Sequence, residues 1–253
     1  MLFTFREAAS LFLIYAFLGW CSEVVFAAAT EGKFVNRGFL NGPVCPIYGF
    51  GVLAVLTCLL PIADNLLLLF AGSIIITSLI EFLAGLILEK IFHDKWWDYS
   101  DKPFHLKGGY VCLEFSLLWG LACLIVVKIV HPVVFGLVQI IPDNLSNALL
   151  ILFYVVLLTD TVLTAIGAAK LPGRLKAIQA VEIRLKAISD GIGQNLTKPT
   201  LAMKEKNELL KKYEELLEKK NYVQKRLLKA FPHFQANKYK EIIEKIKNIT
   251  KKK

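Results

Sequence analysis

The chain has 253 residues, 55% of them hydrophobic, and a mean hydropathy of +0.53, a balance that excludes an ordinary soluble globule. Its formal charge of +9 is unevenly placed: residues 1–169 hold 8 Lys and Arg against 12 Asp and Glu, whereas residues 170–253 hold 22 against 9. The first part is read as a transmembrane domain and the second as a basic cytoplasmic helical tail, and five cysteines without CxxC spacing argue against a disulfide framework or a zinc site.

A helix needs about 20 apolar residues to cross roughly 30 Å of hydrocarbon. Runs of that kind predict five spans, at residues 8–29, 47–63, 66–88, 109–130 and 148–168, the second of them short. The fold class is therefore all-α, a polytopic membrane helical bundle. Span one has Trp20 and Glu23 where the small residues of a cleavage site would stand, so it is read as retained. The tight joint at 61–65 makes spans two and three a hairpin. Residues 132–141 are apolar but too short to cross, and either extend span four or lie along the outer surface.

Positive charge resists translocation, so the Lys and Arg content of short loops sets orientation. Lys33 and Arg37 lie between spans one and two, and Lys90, Lys95, Lys102 and Lys107 between spans three and four, while the other two loops have neither residue. This predicts a multi-pass protein of the cell membrane with its N-terminus outside and its tail in the cytoplasm.

An ionised side chain in hydrocarbon costs roughly 2.5–3.5 kcal/mol even on insertion scales, so each intramembrane acid requires an explanation. Counted from the inner span ends at about 1.5 Å per residue, Glu23, Glu81, Glu114 and Asp160 all fall about 8–12 Å below the cytoplasmic boundary. Each could simply hydrogen-bond a neighbouring helix. Four at one depth suggest instead a polar cavity open to the cytoplasm, in which some of the carboxyls are protonated, or a cation or a ligand's basic group lies among them.

The inner loops carry further candidates. Residues 36–51 include Asn36, Arg37, Asn41 and Tyr48 among Gly38, Gly42, Pro43 and Pro46, which resist a regular helix. Irregular backbone near membrane depth is tolerated only where protein covers it or water lines it, so this segment is expected to re-enter or cap the acidic layer, with Arg37 as its nearest cation. Residues 93–105 set Asp98 between Trp96, Trp97 and Tyr99, an interfacial belt or part of the ligand site. Two histidines there, His93 and His105, have no metal-ligand spacing; no cofactor and no metal is expected.

Taken together, Gly19-Trp20 with Glu23, Asn36-Arg-Gly-Phe-Leu-Asn-Gly-Pro43 with Pro46-Ile-Tyr-Gly49, Ile80-Glu-Phe82 with Glu89, Trp96-Trp-Asp-Tyr-Ser100, and Gly108-Gly109 with Cys112, Ser116 and Trp119-Gly120 form a specific combination. Over about residues 10–135 the chain resembles the bacterial ABC-transporter type IV (CmpB-like) family of integral membrane proteins. Family members commonly carry Asn where this chain has His105 and Arg where it has Gly109-Tyr110. The resemblance implies an association with transport. No GxxxxGK[ST] motif occurs in the chain, so a separate ABC-type ATPase, a second membrane subunit or a homo-oligomer would complete the machine.

Beyond Lys170-Leu-Pro-Gly-Arg174 the apolar period becomes that of soluble helices. Leu175, Ile178, Leu185 and Ile188 form one stripe, broken at 190–193; a second helix is expected to start near Thr197-Lys-Pro199 and to run along Leu209, Tyr213, Leu216, Lys220, Val223 and Leu227 to about Pro232. That predicts a hairpin or short coiled coil, followed by an amphipathic helix at Ile242, Ile243, Ile246 and Ile249. Lysines alternating with glutamates, without interleaved aromatics, speak against nucleic acid and for a solvated face that attracts anionic membrane lipids.

Three functions compete. The first is a transport-associated protein whose cavity of Glu23, Glu81, Glu114 and Asp160, covered by 36–51, binds a cation or a small basic or amphiphilic solute. The second is a membrane enzyme on a lipid or isoprenoid-phosphate substrate, with Asp98 or Glu114 as general acid or base and Arg37 and Lys95 on the phosphate. The third is a non-catalytic scaffold.

Overall fold

The computed structural model describes residues 2–194, 199–218, 221–231, 234 and 236–251, with the backbone alone at 31, 190–194, 199–202, 218, 236–237 and 247–251. Every regular element among the described residues is helical: α1 (Phe5–Glu31), α2 (Pro46–Leu59), α3 (Leu66–Phe92), α4 (Leu113–Ile125), α5 (His131–Ile140), α6 (Asp143–Gln194), α7 (Pro199–Glu218), α8 (Tyr222–Ala230) and α9 (Ala236–Lys251). A 3₁₀ turn, Leu60–Ile62, extends α2, and a π-helical turn, Val126–Val130, joins α4 to α5. Among the described residues four helices are long and apolar enough to cross a membrane: Phe5–Thr30, Leu66–Phe92, Leu113–Ile140 and Asp143–Ser189. The second expected span, 47–63, is the shorter apolar helix Pro46–Ile62.

Local chemistry sets the ends. Thr4 and Glu7 form a reciprocal capping box at the start of α1. Asn65 accepts hydrogen bonds from the Leu67 and Leu68 amides, both at 3.1 Å, which turns the chain sharply from α2 into α3. Residues 132–141 extend span four, because His131–Pro132 enters α5 through continuous helical backbone and the π turn absorbs the proline. Span four starts at Leu113 and not at 109, since Gly108 and Gly109 have positive φ and end the preceding turn.

Residues 1–164 form one compact unit and 165–253 another. In the first, Leu11, Tyr15, Val55, Leu56, Leu69 and Val127 belong to one buried cluster. Polar ties cross between helices where lipid offers no alternative partner: Tyr15 Oη and His131 Nδ1 lie 3.0 Å apart, and Ser78 donates to Ser116 at 2.8 Å. Exposed Ile75, Ile87, Ile151, Val155 and Leu158 leave an apolar exterior suited to hydrocarbon.

In the second unit two sequence expectations are corrected. The helix that carries the apolar stripe is not broken at 190–193, as α6 runs through Pro172 and on to Gln194. Nor does one helix carry the seam from Leu209 to Leu227: α7 ends at Glu218, and Asn221 caps a new helix by accepting from the Gln224 amide at 3.1 Å. Thr197 and Lys198, Lys220 and Pro232 lie outside the described residues, as does the Ile249 side chain. Arg174 is buried and gathers the unit. Its guanidinium donates to the Leu216 and Leu217 carbonyls ending α7 and to Gln224 Oε1 at 2.9 Å. Phe234, Leu227, Ile242, Ile243 and Ile246 supply its core.

Candidate functional site

Glu23 sits on α1, facing the first turn of α2. One helical turn earlier, Gly19 leaves room for Tyr48, whose Cγ would lie 2.2 Å from any Cβ there. The Tyr48 hydroxyl consequently reaches Glu23 Oε1 and donates at 2.5 Å. Arg37 Nε stands 3.4 Å from Glu23 Oε2, and its guanidinium lies over the Phe26 ring at 5.3 Å.

Glu81 of α3 is 8% exposed. Its Oε1 accepts from the Tyr99 hydroxyl at 3.1 Å. Trp119 of α4 approaches the same carboxyl, but the indole does not satisfy Oε2, which is buried without a hydrogen bond among the described residues. Trp119 in turn meets Tyr48 edge to face at 5.6 Å, and Tyr99 stacks on Phe115 at 4.9 Å. Burial, then the charge of Glu81 and after it that of Glu23, hold the Tyr99 phenol well above its ordinary value, which sets both acids in one electrostatic neighbourhood.

Asp160 has a different environment. Its Oδ1 accepts from Asn41 Nδ2 at 2.7 Å, from the Asn41 amide at 3.2 Å and from Thr164 Oγ1 at 3.2 Å, while Oδ2 accepts from the Gly42 amide at 2.7 Å. Asn36 staples the same loop: its Oδ1 accepts from Trp20 Nε1 and the Gly38 amide, both at 3.0 Å, and its Nδ2 donates to the Asn41 carbonyl at 3.0 Å. The Cys45 amide donates to the Ala16 carbonyl at 2.9 Å, seven residues before Glu23 and so about 10 Å from it along α1. Irregular backbone thus runs beside a membrane helix and is covered by it.

Glu114 does not join the layer. Because α4 begins at Leu113, this acid falls in the first turn, where it is exposed and pairs with Lys102 at 3.0 Å. The aromatic loop is held by its own residues and by its neighbours. Trp96 is buried against Phe39 and Phe92, with ring centroids 5.2 Å away in each case, and Trp97 Nε1 donates to the Tyr110 carbonyl at 3.0 Å. Asp98 accepts from Ser100 N at 2.9 Å and Ser100 Oγ at 2.5 Å, and Lys95 Nζ lies 3.2 Å from its Oδ2. Burial would raise the Asp98 carboxyl, yet those Ser100 and Lys95 contacts prevail and hold it below the usual carboxylate range. A carboxyl so engaged is poorly placed for proton transfer, and Lys95, also bonded to the Gly108 carbonyl at 2.6 Å, is equally occupied.

Of the eleven residues singled out in the sequence, Glu23, Glu81, Arg37 and Tyr48 come together; Asn36, Asn41 and Asp160 form a latch; Trp96, Trp97 and Asp98 order the second loop; Glu114 faces outward. Sequence reasoning missed Trp119 and Phe115 in the first group and Thr164 in the latch. Trp119 carried a usable signal, since an indole N–H inside an apolar run needs a polar partner.

A family model described as "Putative ABC-transporter type IV" matches residues 10–165, more than half of the chain. No curated protein and no solved structure matches. The matched region takes in Asp160, beyond the motifs that end near residue 135, and stops where the second unit begins. With four helices able to cross a membrane and a match of that length, the chain belongs to the ABC-transporter type IV family and is a multi-pass membrane protein.

Proposed function

We propose that this protein is the membrane component of a transport system and that its Glu23 and Glu81 carboxylates receive a cation or a small basic solute. One observation carries the reading: two acids from different helices each take a tyrosine hydroxyl, and the more buried of them keeps one oxygen without a hydrogen bond among the described residues. A buried carboxylate is tolerated when a positive group faces it. In this reading the loop from Asn36 to Tyr48 roofs the layer, latched through Asn41 to Asp160, and opens toward the cytoplasm. The N-terminus is outside, the basic tail is cytoplasmic and touches anionic lipid, and ATP hydrolysis comes from a partner subunit.

Native mass spectrometry of the protein purified in mild detergent tests this. An ATPase or second membrane subunit should co-purify, and a low-mass cationic adduct should be present on the wild type and absent from Glu81→Gln. Wild-type protein free of both partner and adduct overturns the reading.

A further inference from the structure

Resting on that reading, we infer that the cation bound at Glu81 is an organic monocation with an N–H donor, a primary or secondary ammonium, and not a metal ion. Four features converge on this class. The first is charge: Glu23 is already faced by Arg37 at 3.4 Å, whereas Glu81 has no ion pair among the described residues, which matches a single positive charge.

The second is donor supply. A bound metal needs four to eight close ligands, arranged by the protein or by water. Among the described residues no group of three or more His, Cys, Asp or Glu could hold one. Around Glu81 the oxygen ligands are already engaged: Oε1 by Tyr99 and Glu23 Oε1 by Tyr48, which leaves Oε2. One N–H suits one acceptor.

The third is the wall. Tyr48, on Glu23, packs against Trp119, and Tyr99, on Glu81, packs against Phe115, so each carboxyl is flanked by a pair of rings. Aromatic faces attract organic ammonium groups and, for a dehydrated metal ion, are poor substitutes for oxygen. The fourth is a precedent inside the chain: the Arg37 guanidinium, itself an organic cation, is held at this layer by one carboxylate, Glu23, and one aromatic face, Phe26. Glu23 and Arg37 are only partly buried, which leaves a side from which a solute can enter.

The test is a thermal-melting titration of the full-length protein in lipid nanodiscs. The probes are propylammonium chloride, potassium chloride and magnesium chloride at matched ionic strength. Propylammonium should raise the melting temperature of the wild type in a saturable way, and the two inorganic salts should not. Glu81→Gln should weaken the propylammonium response about a hundredfold, as expected when a buried charge loses its partner. Trp119→Leu, which keeps every carboxylate, should weaken it about tenfold through loss of the aromatic face, and keeps the question answerable if Glu81→Gln fails to fold. The outward-facing Glu114→Gln should respond as the wild type does. Stabilisation by potassium or magnesium through Glu81, without stabilisation by propylammonium, overturns the inference and leaves the cation-site reading standing. Propylammonium binding that survives both Glu81→Gln and Trp119→Leu also overturns it. A wild type that melts cooperatively and answers to none of the three salts sinks the site reading itself.

Discussion

The loops at 32–45 and 93–112 are both irregular, both rich in glycine and aromatic residues, and anchored in opposite ways. Loop 93–112 carries its own fastenings: Lys95 to Asp98 and to the Gly108 carbonyl, Ser100 to Asp98, and the Tyr99 amide to the Gly109 carbonyl at 2.7 Å. Loop 32–45 has an internal staple in Asn36, but the acid that holds it, Asp160, is 119 residues further along the chain from Asn41. The first kind of loop can order as soon as its own residues meet. The second is ordered only when a distant helix is in place, so the roof of the proposed site reports on the position of Asp160.

The largest expected effect follows from that dependence. Asp160→Asn keeps one acceptor oxygen but turns an N–H₂ toward the Gly42 or Asn41 donors, leaving at least one of them unpaired. We expect a loss of roughly 3 kcal/mol of stability, the scale for orphaned buried donors that had been bonded to a charged group. Hydrogen exchange should rise sharply at 36–45 and much less at 93–112, which meets the first loop through Phe39 and Trp96. Equal acceleration in both loops would show that the two are not anchored independently.

How far such differences could be read beforehand depends on the distance over which each contact acts. The spans were legible because hydrocarbon imposes length and apolarity on every helix that crosses it, and the glycine and proline pattern of 36–51 announced irregular backbone. Intramembrane acids stood out singly as Glu23, Glu81 and Asp160. Their common depth was legible too, but which of them meet was not, because depth fixes one coordinate while helix rotation fixes the other. Counting residues placed Glu114 at the common depth only by starting span four at 109; the positive φ values of Gly108 and Gly109 end a turn there, and the helix starts four residues later. The Asp160 latch was hidden for a related reason. A side chain that accepts two backbone amides leaves no periodic mark on the partner sequence, since any residue at 42 presents an N–H. In the tail, heptad spacing favoured one long helix, yet a single local event, the Asn221 cap, divided it.

A middle-sized effect tests the self-contained loop. Gly109 has φ +71°, and a Cβ there would lie 2.1 Å from Asp98 Oδ1 and 2.5 Å from Ser100 Oγ. Gly109→Ala therefore meets a left-handed backbone and the loop's own acid at once. About 2 kcal/mol of destabilisation is expected, from backbone strain together with loss of the Ser100 bonds. Exchange should now accelerate chiefly at 93–112, the mirror image of the Asp160→Asn result, and a response centred on 36–45 would contradict the division.

The smallest effect isolates the tie between loop 93–112 and the end of α3. Tyr110 donates its hydroxyl to Glu89, and the carboxylate that receives it, with lesser burial, pushes the phenol up to about 12. A phenol raised in the folded state is held there in its neutral form. Its contribution is then complete below the ordinary value of about 10 and is lost as pH climbs through about 12. Tyr110→Phe should cost about 1 kcal/mol or less at neutral pH, the net worth of one partly exposed hydrogen bond. The decisive reading is the phenolate absorbance of the wild type minus that of the variant, which should rise late, near pH 12. If the difference instead rises near pH 10, the Glu89 contact does not form in solution, and the second loop is held by its other ties, Lys95, Asp98 and Ser100 among them, without this one.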